Sequence, residues 1–277
     1  PHLYQWVLER VKPQRDQDKI EERRRNWWLF TRPIPALRQA GIQLERMIFV
    51  PRTAKFFTFQ FIETAAIPDT SVVAIASNDS WVLGVLSSRI HIVWALNRGG
   101  TLEDRSRYQH QSTFNPFPFP AATDIRKSRI RQLGESLDSH RKRQQAAHPD
   151  LTITSMYNVL EKLRRGEALN TAERVIHEHG LVSVLKKIHD DLDAAVFDAY
   201  GWPHDLTDEQ ILEKLVKLNA ERSEEERKGL IRWLRPEFQN PSGQKAATQT
   251  EVVGSEESEE DTAATTAAKA WPKKLPE

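Results

Sequence analysis

The spacing of apolar residues changes several times along the chain, and each change predicts an element. Phe57, Phe59 and Phe61 alternate with other positions at a period of two, between an apolar run over 47–54 and a β-branched run over 71–77. These three runs predict strands with an aromatic face on a core. Pro51 and Pro68 punctuate them. Asn78, Asp79 and Ser80 supply capping side chains, and Val82, Val85, Leu86, Ile90, Val93 and Trp94 then recur at helical spacing. That pattern predicts one helix over 80–97, stopped by Gly99-Gly100. Upstream, Arg23, Arg24 and Arg25 precede Trp27, Trp28 and Phe30, which reads as a short helix and a loop within 1–32. Residues 108–120 end in Asn115-Pro116-Phe117-Pro118-Phe119-Pro120. Alternating proline excludes a helix or a central strand, so this segment is expected to be an extended strap at a domain border.

Residues 124–237 read as helices. Asp124 is expected to cap a basic segment holding Arg126, Lys127, Arg129 and Arg131. Leu185, Ile188, Leu192, Val196 and Ala199 form one stripe, broken by Gly201-Trp202-Pro203. Thr207 and Gln210 have the spacing of a capping box, opening a helix with Ile211, Leu212, Leu215, Val216 and Leu218. A last short helix is expected to carry Ile231, Trp233 and Leu234 and to end at Pro236. From 240 the chain is Ala, Thr, Ser, Glu, Gly and Gln with few large apolar residues, the composition of a disordered tail. The predicted fold class is therefore α+β: a mixed, β-rich domain over 1–122, an all-α domain over 123–239, and a disordered tail over 240–277.

Composition narrows the chemistry. The 277 residues include no cysteine, which excludes a disulfide scaffold, a Cys-ligated zinc and a thiol nucleophile, and suits a cytoplasmic protein. No apolar run approaches the roughly 20 residues that cross a bilayer, so no membrane partner is expected. The chain starts at Pro1-His2 without an initiator Met and is read as part of a longer protein. Its net charge of +1 conceals a gradient. Residues 1–131 hold 20 Lys and Arg against 12 Asp and Glu, residues 132–239 hold 16 against 20, and residues 240–277 hold 4 against 7. A basic first half suggests an anionic partner.

No enzymatic motif accompanies that charge. The 11 glycines form no phosphate-binding cluster, and Gly-Lys-Ser/Thr, Gly-x-Ser-x-Gly and His-Glu-x-x-His are all absent. His177 and His179 are two residues apart, which on a helix points them about 200° apart and away from a shared metal. Asp190, Asp191 and Asp193 read as a solvated charged face, and His189 as a packing or solvated residue beside its helix's stripe. No catalytic, cofactor or metal site is expected in these residues.

Two features fit double-stranded DNA. Basic and aromatic residues interleave over 10–32 and 46–61, and the loop over 97–112 is built almost wholly of hydrogen-bonding side chains. Arg reads guanine, Gln reads adenine, and Glu or Asp accepts from cytosine. An acid beside a phosphate would be repelled, so mixed signs in one loop favour base reading over a phosphate clamp. The candidate DNA contacts are Arg24, Arg52, Lys55, Arg89, His91, Arg98, Glu103, Arg105, Arg107 and Gln109. His91 is placed off the apolar face of the 80–97 helix, as a contact or a surface residue.

The segment from Gly100-Thr101-Leu102-Glu103-Asp104-Arg105-Ser106-Arg107-Tyr108 to Thr113-Phe114 and the strap resembles the end of the target-recognition domain in MmeI-like, type IIG adenine-specific DNA methyltransferases. Residues 83–94 resemble the helix before that loop. Residues 192–203, 215–222 and 231–239 are similar to that family's helical C-terminal domain. Phe119 stands where relatives often have Trp. The resemblance implies an upstream catalytic domain of the same chain, bearing an Asn-Pro-Pro-aromatic motif and S-adenosylmethionine, neither of whose motifs is present here. It implies that this chain is the sequence-recognising, C-terminal part of a restriction-modification methyltransferase. The alternative is a non-enzymatic specificity subunit or a protein-interaction scaffold.

Overall fold

The computed structural model describes residues 2–29, 34–102 and 105–243. The chain divides into two compact units at Arg38/Gln39. In the first, α1 (His2–Arg10), α2 (Lys12–Arg15) and α3 (Glu21–Arg25) follow one another. Glu21 and Glu22 begin α3 and Arg23, Arg24 and Arg25 end it, the charge order that suits a helix dipole. Asp18 accepts from the Ile20 N–H and lies within 4 Å of Arg15 and Arg23.

The second unit is entered through α4 (Pro35–Gly41). The strands β1 (Arg46–Pro51), β2 (Thr53–Ala54), β3 (Gln60–Glu63) and β4 (Val72–Ile75) come next. Then follow α5 (Ser80–Ser87), α6 (Arg89–Arg98), β5 (Thr101–Leu102), β6 (Arg105–Arg107) and a π-helical turn, His110–Phe114. The remaining helices are α7 (Asp124–Ala147), α8 (Ile153–Arg165), α9 (Thr171–Gly180), α10 (Val182–Tyr200), α11 (Asp208–Arg227) and α12 (Pro236–Gln239). The fold class is α+β, as the periods predict.

Two small antiparallel sheets form, in the orders β3-β1-β4 and β2-β6-β5. Ile48 on β1 lies opposite both Phe61 and Ile75. Arg52 alone separates β1 from β2, so one run of chain feeds both sheets. Its N–H donates to Ser71 O at 2.8 Å, and its carbonyl accepts from Tyr108 N at 2.7 Å.

The helix predicted over 80–97 is two helices. Ser88 is extended (φ −77°, ψ 156°), and its hydroxyl donates to Val85 O at 2.7 Å. The Arg89 N–H beyond the break donates to the Asp193 carboxylate of α10 at 2.7 Å. A tertiary acceptor thus takes over where the helical ladder stops. This corrects the reading of Asp193 as a solvated acid: it is embedded, and burial raises its pKa to about 6. Three other expectations change locally. Phe57 and Phe59 precede β3 rather than lying in it, yet both are buried. Thr123, not Asp124, takes the N-cap position of α7. Residues 231–233 are not helical, and Pro236 opens α12 instead of closing a helix, a position where its missing N–H costs nothing. The capping box of Thr207 and Gln210 is formed. The expected tail lies outside the described residues from 244 onward.

One core runs through the second unit, from Ile48, Phe59 and Phe61 through Trp81, Leu86 and Trp94 to Ile130, Leu192 and Leu215. The strap joins its two ends. Phe117 sits edge-on to His91, with centroids 4.3 Å apart, and Phe119 packs on Trp81 at 5.5 Å. The strap's carbonyls turn the other way: Tyr200 donates its hydroxyl to Pro118 O, and Asn219 its amide to Pro116 O. Beneath it α5 and α7 cross at two glycines. A Cβ on Gly134 would overlap Ser80 O, and one on Gly84 would lie 2.7 Å from Ile130 Cγ2.

Gly134→Ala is therefore expected to force the two helices apart and to lower stability by about 1–3 kcal/mol, the usual cost of overpacking. Ser136→Ala, on the exposed side of the same helix, is expected to stay within about 0.5 kcal/mol of the parent. Denaturant melts of both variants check this, and equal stability of the two would refute the close crossing.

Candidate nucleic-acid interface

The second sheet is thin. Its strands are two or three residues long, so the scaffold below must hold it. Thr101 pairs with Ser106 and Leu102 with Arg105, while Thr53 pairs with Arg107. Tyr108 anchors the end of β6: it is fully buried, its ring edge-on to Phe57 and Phe59 at 5.4 Å each. Its hydroxyl meets His91 Nε2 at 3.0 Å. Gly99 closes the corner. A Cβ there would overlap the carbonyl oxygen of Arg107, so any other residue would push β6 off α6. Gly100 has φ +70°, the left-handed region that glycine occupies without strain.

Five of the ten candidate residues converge on this corner. Arg98 ends α6 immediately before Gly99, with its guanidinium 5.3 Å from the Trp94 ring centroid. Gln109 donates from Nε2 to Gly99 O. Arg105 and Arg107 lie two apart on β6 and so share a face, which Ser106 does not. Arg52 joins through its backbone bond to Tyr108. Among the described residues, Arg52, Arg98 and Arg107 have no carboxylate within 4 Å. Glu103 lies outside the described residues. The structure thus concentrates positive charge at this corner, with Arg98 and Arg105 exposed and Arg52 and Arg107 partly so.

The other candidates are placed differently. Arg89 donates from Nη2 to Asp208 Oδ1 at 2.6 Å and to Leu206 O at 3.0 Å. Lys55 donates to Asn158 Oδ1 at 2.7 Å and lies 3.4 Å from Glu161. Both cations are engaged within the molecule. Arg24 belongs to the first unit, where it donates to Asp18 O. His91 requires a correction. It is fully buried among Phe59, Tyr108 and Phe117, and burial pushes its pKa down to about 3. A neutral, enclosed ring does not meet solvent-side bases. Spacing placed it off the stripe of one long helix, but the break at Ser88 restarts the helix and brings His91 inward.

Two supports were missed by sequence reasoning. Tyr108 reads in the sequence as part of a polar loop and as the start of the strap, not as a core anchor. The π-helical turn was read as extended strap, although it buries Thr113 and takes the Trp94 indole N–H onto Thr113 O at 2.8 Å. No local spacing rule announces a π turn. No group of three or more His, Cys, Asp or Glu among the described residues is placed to hold a metal ion. No helix among them is long and apolar enough to cross a membrane.

Comparison with known proteins finds similarity over this corner. The family described as MmeI, target recognition domain, matches residues 4–121, the span that ends on the strap. A stretch of 145 residues, 52% of the chain, is 28% identical to DNA methyltransferase A of Bacillus subtilis (strain 168). The fold is similar to that of the Type IIL restriction-modification enzyme MmeI, solved in complex with DNA, with a TM-score of 0.59 and 19% identity over 80% of the chain. The chain spans 14% of the length of the first protein and 27% of the second.

The buried His91 gives the second unit a pH signature. Its native pKa of about 3 lies below the ordinary value of 6.5, so the unfolded state takes a proton that the native state refuses. Its contribution is complete above 6.5 and is lost as pH falls toward 3. His91→Gln is expected to lower stability at pH 7.5 and to flatten the decline between pH 6.5 and 4. Denaturant midpoints at several pH values test this; an unchanged slope would mean that the imidazole protonates in place.

Proposed function

We propose that this chain is the DNA-reading, C-terminal part of a site-specific DNA-adenine N6-methyltransferase of the restriction-modification type. The observation that carries the reading is the arginine-rich corner of the β2-β6-β5 sheet, within residues that match a target recognition domain. Arg52, Arg98, Arg105, Arg107 and Gln109 face a duplex, with Glu103 of the same loop; arginines without acid partners hold phosphates, and the loop side chains reach base edges. Lys55, Arg89 and Arg24 serve chiefly to brace the scaffold. The residues up to 122 form the recognition domain and those from 123 to 239 the helical domain, joined by the strap. The catalytic domain, with its S-adenosylmethionine, belongs to the upstream part of the same longer chain, in the cytoplasm. Chemistry on an adenine inside a duplex requires that the base leave the stack, so the reader's task is to fix the register while the catalytic domain takes the base.

The isolated chain is expected to bind duplex DNA with an affinity that falls as salt rises, and to transfer no methyl group from S-adenosylmethionine. In the full-length methyltransferase, Glu103→Lys combined with Arg105→Asp is expected to change or relax one base of the methylated site, a discrimination of about 1–3 kcal/mol. Sequencing the methylated positions reads this directly. Unchanged site choice with uniformly weaker methylation would assign both residues to the backbone instead.

A further inference from the structure

Solvent-facing helices of this protein usually mix their charges. On α10, Lys186 and Lys187 pair with Asp190 and Asp191 one turn on. On α11, Arg227 and Lys228 pair with Glu224, and on α8 Arg165 pairs with Glu161. Such i, i+3 and i, i+4 pairs are the ordinary dress of a solvated helix. The longest helix, α7, departs from this. Beyond its first residue, both of its acids are turned toward the recognition half. Glu135 binds Arg46 at 2.8 Å, and Asp138 is buried against Phe61 N, Lys142 and Arg141. Its own Arg131 is spent on Asp79.

The opposite face is free of acids. Arg129, Gln132, Ser136, Ser139 and Arg143 are all exposed and follow at spacings of three and four, which places them on one stripe. Arg129 donates only to the neutral Gln132, and Arg143 has no carboxylate within 4 Å among the described residues. Arg126 is exposed on the flank of the same stripe. From Arg129 to Arg143 the stripe runs about 21 Å at 1.5 Å per residue, the axial length of about six phosphates of one DNA strand. Arginine, glutamine and serine are the side chains that hold phosphate oxygens. A protein-docking face would need apolar residues at its centre; the stripe has none from Arg129 to Arg143, and the exposed Ile125 lies one turn before it, at its end.

We propose that the outer face of α7 is a second duplex-DNA surface, which tracks the phosphate backbone outside the recognition site. The inference rests on the reading of the chain as a DNA-binding protein, and it gives the helical half a direct part in that binding. Because α7 grips β3 with its inner face, phosphates held on its outer face would be fixed in register with the recognition corner. The surface adds affinity without sequence preference.

The test uses the whole 277-residue chain and a fluorescent duplex, titrated across a series of salt concentrations. Arg129→Ala with Arg143→Ala is expected to reduce the slope of log affinity against log salt by about two, equally for duplexes of unrelated sequence. Arg129→Lys with Arg143→Lys is expected to restore most of it. The double variant Arg227→Ala with Lys228→Ala removes the same charge from α11 and is expected to leave the slope nearly intact. An unchanged slope in the α7 variant would overturn the proposal, and would leave another occupant, such as an acidic protein surface, for that face. An equal fall in the α11 control would overturn it too, since bulk charge alone would then explain the effect. If the parent chain bound no duplex at all, the DNA-binding reading itself would fail, an outcome distinct from both.

Discussion

The free edge of β3 is the constraint around which the second unit is arranged. An edge strand exposes backbone donors and acceptors that must be paired, covered or left to aggregate. Here one helix finishes the ladder with side chains. Asp138 accepts from Phe61 N at 3.1 Å, Arg141 donates to Phe59 O, and Lys142 donates to Phe61 O at 2.6 Å. Asp138 and Arg141 are almost fully buried to do so. Burying such charges costs several kcal/mol each unless every oxygen and N–H is met. Arg141 also donates to the Tyr157 hydroxyl, which meets His189 at 2.8 Å. The edge of the sheet thereby fixes α7, and through Tyr157 and His189 it fixes α8 and α10.

That clamp explains why the two halves share a core although their sequences differ in character. With α7 held on the sheet, the crossing at Gly84 and Gly134 brings α5 close, and α10 follows through Leu192. Asp193 then meets the broken end of the helix at Ser88, and Arg89 reaches Asp208. The strap is stitched on both sides, rings inward to Trp81 and His91, carbonyls outward to Asn219 and Tyr200. Burial drives the Tyr200 hydroxyl pKa well up, so this phenol stays a neutral donor to Pro118 O.

Periodicity made most elements legible, because core residues recur at the pitch of the element that buries them. The stripe Leu185, Leu192, Val196 lies buried on α10 as its spacing demands, and the Thr207 capping box opens α11. What the spacing could not carry was tertiary. The break at Ser88 is completed by an acid 105 residues away in sequence, at Asp193. Val82 to Trp94 reads as one helix only so long as that acceptor is out of view. The same break decides the fate of His91, a candidate contact that ended inside the core. Arg98, Arg105 and Arg107 were legible as a cluster because they are close in the chain. Arg52 joins them only through the pairing of β2 with β6. Lys55 and Arg89 looked equivalent to these in composition, and their acid partners lie 106 and 119 residues away.

Cations in this protein therefore separate by what faces them rather than by where they fall in the chain. Those whose side chains reach the other half of the molecule find acids or carbonyls there and become structural: Arg46, Lys55, Arg89, Arg131 and Arg141. Among the described residues, Arg52, Arg98 and Arg107 at the second sheet and Arg129 and Arg143 on the outer stripe of α7 have no carboxylate within 4 Å, and on α7 that is because Glu135 and Asp138 are drawn inward. An excess of positive charge on a surface persists only if the attraction it gains from a partner outweighs the mutual repulsion it costs in the free protein. At exposed positions that repulsion is modest and screened by salt within about 10 Å. The scaffold can thus keep arginines without acid partners on two of its faces with little loss of stability, while its interior pairs the buried Asp138 with Arg141 and Lys142.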